Sequence, residues 1–235
     1  MPNRWNDAAR TRRSQIESGL DLTFNEVFKP FFVDRIVALS PTYLLEIGAG
    51  TGHLSKELSK LNISITAIEP STGMYDVAKD VLAGSVVELI NCTSNELGQV
   101  RLYDVIISHL VAHSVEDLKL FFESISRQLG EDGVFLFSIP HPCFYNEYKG
   151  FFGDEYRYMT TASKEISLTI TKDSENKMVG VPYHHRPLSS YINILFETGL
   201  GIQKFDEIYP EAEIQEKYGV MWDTPRYCVF TCKNL

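Results

Sequence analysis

From residue 43 the chain sets out five short apolar runs at intervals that a helix would fill: "YLLEI" (43–47), "ISITAIE" (63–69), "VVELI" (86–90), "YDVIISH" (103–109) and "VFLFSI" (134–139). Each is apolar on both faces rather than on alternate residues, the pattern of a strand covered on both sides. The stretches between them carry helical periodicity. "HLSKELSKL" brings Leu54, Leu58 and Leu61 to one face, and "GMYDVAKDVL" does the same with Met74, Val77, Ala78, Val81 and Leu82. "SVEDLKLFFESISRQL" reads as a helix opened by Ser114, with acids in its first turn. A βαβαβ succession of this kind predicts an α/β fold, a doubly wound sheet with right-handed crossovers.

After residue 140 the rhythm changes. "KEISLTITKDSENKMVGV" alternates Ile166, Leu168 and Ile170 with polar residues and then turns through "DSEN", which predicts a hairpin. "SSYINILFETGL" is a further helix running into Gly199, and "IQKFDEIY" and "RYCVFTC" are closing strands. With no repeat and no low-complexity linker, the 235 residues read as a single domain. Its parts are an N-terminal helical segment and lid (1–42), an α/β core (43–139), a hairpin-containing lid insertion (140–186), and a C-terminal helix with the last two strands (187–235).

A net charge of −9, with no block of Lys or Arg, argues against a phosphate-backbone partner. Arg4, Arg10, Arg12 and Arg13 are interrupted by Asp7 and Glu17 and precede no apolar run, so neither a secretory signal nor a membrane span is expected. Cysteines at 92, 143, 228 and 232 form no CxxC pair. Cys228 and Cys232 on one strand would lie roughly 13 Å apart, too far for a disulfide. Reduced thiols and a cytoplasmic location follow. No ligand spacing suggests a metal.

The turn after the first run, in "LLEIGAGTGHLSKEL", places Gly48, Gly50 and Gly52 between a strand and a helix. Glycines there let a ligand approach the backbone and offer amide donors at a helix N-terminus. The spacing is GxGxG, and His53 stands where a dinucleotide fingerprint has its third glycine. Glu46 precedes the turn. Glu69 ends the next strand about 20 residues on, where a carboxylate can accept from both hydroxyls of a ribose. A nucleoside without a pyrophosphate suits both features.

Taken in order, "LLEIGAGTGHLSKEL", "ITAIEPSTGMYDVAK" and "YDVIISHLVAHSVEDLKLFFESISRQLGEDGVFLFSIPHP" resemble the motif set of class I S-adenosylmethionine-dependent methyltransferases of small-molecule type, over about residues 43–142. The resemblance implies a Rossmann-like seven-stranded sheet of order 3-2-1-4-5-7-6 with the last strand antiparallel. It also implies S-adenosylmethionine as cofactor and S-adenosylhomocysteine as product. Gly48, Ala49, Gly50 and Gly52 would line the methionine and ribose, Glu46 would sit near the amino group, and Glu69 would hold the ribose. Pro70, Ser71 and Met74 would approach the adenine, and His109 the methionine tail. Many members carry an acidic residue after the third strand for the adenine amino group. Here that stretch reads "ELINCTSNEL", leaving Asn91, Cys92, Thr93, Ser94 or backbone donors for the task.

Methyl transfer from a sulfonium is an in-line displacement governed by alignment and desolvation, and some acceptors also need a base. "SHLVAHS" replaces the Asn/Asp-Pro-Pro-Tyr/Phe motif of branches that methylate exocyclic amines, so an oxygen or nitrogen of a small molecule is the expected acceptor. Candidate catalytic residues are His141, His113, Tyr183 and His184. Trp5, Phe144, Tyr145, His185 and Arg186 are candidates to meet the substrate. Arg186 is read either as a carboxylate holder or as a surface cation. A monomer or homodimer is expected. A nicotinamide-dependent oxidoreductase and a non-catalytic cofactor-binding scaffold are the alternative functions.

Overall fold

The computed structural model describes residues 5–98 and 101–235, so Arg4 lies outside the described residues. The helices are α1 (Trp5–Glu17), α2 (Lys29–Leu39), α3 (His53–Leu58), α4 (Thr72–Val81), α5 (Leu118–Gln128), α6 (Tyr145–Lys149), α7 (Leu188–Glu197) and α8 (Ala212–Tyr218). The strands are β1 (Tyr43–Ile47), β2 (Ser64–Ile68), β3 (Glu88–Ile90), β4 (Tyr103–His109), β5 (Leu129–Pro140), β6 (Ala162–Ile170), β7 (Asp173–His185), β8 (Leu200–Ile208) and β9 (Tyr227–Asn234). One sheet has the order β3-β2-β1-β4-β5-β9-β8, and β6 pairs with β7 separately. β9 runs antiparallel to both β5 and β8. With the hairpin strands left out of the count, this is the order and the antiparallel last strand that the resemblance implies.

Two compact units divide the chain. The first extends to Thr93 and takes in Ser167–Val181 and Pro210–Met221. Its core joins Phe28, Phe32 and Ile36 with Leu44, Leu45, Leu58, Ala67, Ile68 and Ala78, all buried. The strands β1 and β2 are exposed only at their first residue, as covered parallel strands should be. Within this unit Gln15 donates to Asp173 at 3.0 Å, and Thr23 and Tyr218 share a hydrogen bond of 2.8 Å. The second unit comprises Ser94–Ile166, Pro182–Tyr209 and Trp222–Leu235. Its core is aromatic: Phe135 stacks on Phe137 at 4.9 Å, and Phe137 on Phe230 across the β5–β9 register at 4.7 Å.

Three local expectations shift. The helix read from Ser114 begins at Leu118, because Val115 is extended and Asp117 caps α5 by accepting from the Leu120 N–H at 2.9 Å. Residues 112–114 instead form a single 3-10 turn. The hairpin turns at Thr171–Lys172, and "DSEN" already lies in β7, where Asp173 accepts from Asn176 at 2.8 Å. The short helix α8 was not expected.

Candidate active site

In the first unit β1 leads into the glycine turn, and α3 leaves it at His53. Gly48, Gly50 and Gly52 have φ of 72°, 56° and 77°, values that glycine alone adopts without strain. A side chain on Gly50 would enter open space, whereas one on Gly52 would meet Leu82 at 3.1 Å and Ala78 at 3.2 Å. Gly50 therefore keeps a surface bare, and Gly52 lets α3 close on α4. The amides of this turn are not offered outward as expected. Gly48 and Ala49 donate to the Ile68 carbonyl, Gly52 to that of Ala49, and Gly50 to a carboxylate oxygen of Glu69 at 2.8 Å. A turn with its donors spent in this way is poorly suited to a pyrophosphate.

Glu69 is the best-braced group of this unit. Its other carboxylate oxygen accepts from the Ser71 N–H at 2.8 Å, and its carbonyl takes the Asn91 amide at 2.6 Å. Two backbone donors orient the carboxylate and leave it lone pairs for a ligand's hydroxyls. Burial raises its pKa, and the two amides oppose that shift. Glu46 is buried at the end of β1 and accepts from the Ser55 hydroxyl. Burial pushes its carboxyl up to about 7, the Ser55 bond opposes this, and the Glu69 charge adds to it.

Beyond Glu69, Pro70 is exposed, and Ser71 caps α4 by accepting from the Met74 N–H at 3.2 Å. Met74 is buried, Cys92 half-buried and Thr93 exposed. Half-buried Trp5 opens α1. Beside it Asn6 accepts from the Ser71 hydroxyl at 2.7 Å and from the Gly73 N–H at 3.0 Å, fastening α1 to the start of α4. Asn6 lay outside the sequence reading, since a cap supplied by another helix leaves no local pattern. Ser94 belongs to the second unit, where the Ser124 hydroxyl and the Gln128 amide bind it. Its hydroxyl and its carbonyl thus serve α5.

In the second unit His109 ends β4, its Nδ1 2.8 Å from the Ser138 hydroxyl. Leu110 follows at φ 54°, a left-handed conformation costly for leucine, held by its N–H to Ser138. His141 is 2% exposed, and its nitrogens are both engaged. Nδ1 accepts from the Cys143 N–H at 3.2 Å, which makes Nε2 the donor to Glu207 at 3.1 Å. Burial lowers its pKa against the pull of Glu207. Phe144 packs on this ring at 4.7 Å. His185 is tied in the same manner: Nδ1 accepts from the Asn146 amide and Nε2 donates to the Tyr158 carbonyl, both at 2.8 Å. Along β7, Tyr183 and His185 are buried, while His184 is partly exposed and bonds Ser163 at 2.7 Å. Tyr145 and Tyr183 face each other at 6.3 Å, with pKa values that burial raises. His113 is buried at 5.4 Å from Tyr183, and burial lowers its pKa to about 3. Arg186 is buried rather than a surface cation.

Among the described residues no group of three or more His, Cys, Asp or Glu side chains is placed to hold a metal ion, and no helix is long and apolar enough to cross a membrane.

Residues 45–137 match the methyltransferase domain family. A malonyl-[acyl-carrier protein] O-methyltransferase of Priestia megaterium (strain DSM 319 / IMG 1521) is 31% identical over 143 residues, 59% of this chain and 50% of that protein. The uncharacterized methyltransferase YrrT of Bacillus subtilis (strain 168) is 39% identical over 72 residues, 30% of this chain and 34% of that one. The chain thus spans half or less of the length of these curated relatives. An S-adenosylmethionine-dependent methyltransferase of Clostridium acetobutylicum ATCC 824 shares the fold with a TM-score of 0.69, 19% identity and 99% of both chains covered. Residues 45–137 thus carry a methyltransferase domain, and the chain has the fold of the S-adenosylmethionine-dependent methyltransferase of Clostridium acetobutylicum.

Proposed function

We propose that the chain transfers a methyl group from S-adenosylmethionine to an oxygen or nitrogen atom of a small-molecule acceptor. The observation that carries this reading is the carboxylate of Glu69, clamped by the amides of Gly50 and Ser71 at the end of β2 beside the bare Gly50 turn. Such a carboxylate accepts from a ribose diol, and the turn leaves room for a nucleoside with a slim tail. Glu46 would meet the amino group of that tail, and the Ser71–Met74 turn would border the base. When bound, S-adenosylmethionine supplies an electrophilic methyl on a sulfonium. The chain's own part is to hold, orient and exclude water. Residues 140–186 would cover the acceptor, and α1 with Trp5 the cofactor. The O-methyltransferase relative supports an oxygen acceptor. Free thiols at all four cysteines suit a cytoplasmic location.

Calorimetry with S-adenosylmethionine, S-adenosylhomocysteine and NADH tests the cofactor. Both sulfur cofactors should bind and NADH should not; failure of both to bind would sink the proposal. Methyl transfer to a panel of phenols, amines and carboxylates then distinguishes an enzyme from a binding scaffold.

A further inference from the structure

Arg186 and His113 leave polar atoms buried and unanswered on adjoining segments of the second unit. Arg186 is 7% exposed and His113 is 6% exposed. The guanidinium donates through Nη2 to the carbonyls of Val115 at 2.6 Å and Glu116 at 2.8 Å. Its Nη1 is buried without a hydrogen-bond partner, as are Nδ1 of His113 and the hydroxyl of Ser114. Among the described residues no carboxylate pairs with Arg186. Burial first, then His184, His109 and lastly Arg186 disfavour a charge on the His113 ring, and Arg186 bonds the backbone of Val115 and Glu116, two and three residues further on.

A guanidinium cannot shed its proton to escape burial, and an uncompensated buried charge is strongly unfavourable. Two backbone carbonyls satisfy one nitrogen, and the buried Tyr191 hydroxyl lies within reach of the guanidinium, but none of these neutral groups neutralises the cation. The remaining donors of Nη1 therefore call for an anion. A neutral His113 protonated on Nδ1 would donate toward the same anion, with the Ser114 hydroxyl as a third polar group nearby. The wall beside them is aromatic: Tyr183 stands 5.4 Å from His113, 5.4 Å from Phe151 and 6.3 Å from Tyr145. That wall suits an apolar body.

We infer that the methyl acceptor carries a carboxylate, seated on Arg186 Nη1 with His113 and Ser114 beside it, and an apolar body lying against Tyr183. This rests on the methyltransferase reading and names the substrate class within it. It also gives Arg186 one definite duty, since its other nitrogen already ties β7 to the turn before α5.

The test is calorimetry on the full chain with S-adenosylhomocysteine present, using acetate, succinate, benzoate and phenylacetate, each against its primary amide. At least one acid should bind about tenfold or more tightly than its amide, the margin of a charge-assisted hydrogen bond over a neutral one. Arg186→Gln should erase that preference without altering affinity for S-adenosylhomocysteine, and Arg186→Lys should keep part of it. Acids and amides binding alike, no acid binding at all, or a preference that survives Arg186→Gln would overturn the inference. If Arg186→Gln does not fold, the acid and amide pairs on the unsubstituted chain decide the matter. Failure of the unsubstituted chain to bind S-adenosylhomocysteine would instead be the failure of the methyltransferase reading.

Discussion

Asn6 and Gly73 meet backbone to backbone: a Cβ placed on Gly73 would lie 2.5 Å from the Asn6 carbonyl oxygen and 2.6 Å from its Cα. Only glycine allows that approach, and through it the Asn6 side chain reaches the Gly73 amide in the first turn of α4. Further along the same pair of helices, Arg13 comes within 3.6 Å of Asp80. The first helix is therefore seated on α4 at both ends, with Asn6 bonded to Ser71 two residues past Glu69.

Gly73→Ala should lift the start of α1, because backbone atoms on both sides cannot yield as a side chain would. Amides of residues 5–10 should exchange faster, and affinity for S-adenosylhomocysteine should fall by about tenfold if α1 covers the cofactor. Asn6→Ala, which removes the cap but not the fit, should cost about 1 kcal/mol of stability. Hydrogen exchange and calorimetry on the two variants check this; unchanged exchange in Gly73→Ala would refute the seat.

Glu69→Gln replaces one accepting oxygen with an N–H group that would face a backbone donor. The loss should be about 1–3 kcal/mol of stability together with a marked loss of cofactor affinity. Denaturant unfolding measures the first and calorimetry the second. A variant that binds S-adenosylhomocysteine as well as the parent would remove Glu69 from the cofactor site.

Glu46 makes stability depend on pH in an unusual direction. Its folded pKa is raised to about 7 from 4.5, so the folded chain binds more protons than the unfolded one across that interval. Its contribution is complete below about 4.5 and is lost as pH rises through about 7. Glu46→Gln should flatten the decline over this window in urea unfolding at a series of pH values. A parent slope matched by the variant would show that Glu46 is not its source.

His113 has the opposite sign. Its pKa is lowered from 6.5 to about 3, so stability is present above 6.5 and falls as pH drops toward about 3. NMR of the ring should find it neutral at pH values where exposed histidines are already charged. A His113 resonance titrating like those of exposed histidines would contradict the buried setting.

His185→Phe should cost about 2 kcal/mol or more, because it leaves the Asn146 amide and the Tyr158 carbonyl without their partner. Thermal unfolding would show it, and the acceptor KM should rise while affinity for S-adenosylhomocysteine holds. A stable variant with an unaltered KM would remove His185 from the acceptor side altogether.

The strands and helices of the core were legible because both-face apolar runs and amphipathic helices are local patterns, readable within a dozen residues, whereas the order of the strands came from the family resemblance. The same holds for Gly48, Gly50 and Gly52 on their turn and for Glu69 at a strand end. The start of α5 was not, because Ser114 and Asp117 are both able caps and the extended conformation of Val115 chose between them. Arg186 read as surface or site with equal ease, since a cation three residues from a buried tyrosine carries no mark of its own burial.

The chain's residue pattern alone settled the class of fold and the shape of the glycine turn, both consequences of periodicity and of which residues tolerate positive φ. Which histidine keeps a nitrogen for chemistry was decided only by the folded structure. An imidazole's availability depends on what meets each of its nitrogens, and those partners are distant in sequence: Glu207 is 66 residues from His141, Asn146 is 39 from His185, and Ser138 is 29 from His109. The same folding turned the glycine amides inward onto Ile68 and Glu69, so the turn that reads as a set of donors serves instead as the brace of a carboxylate.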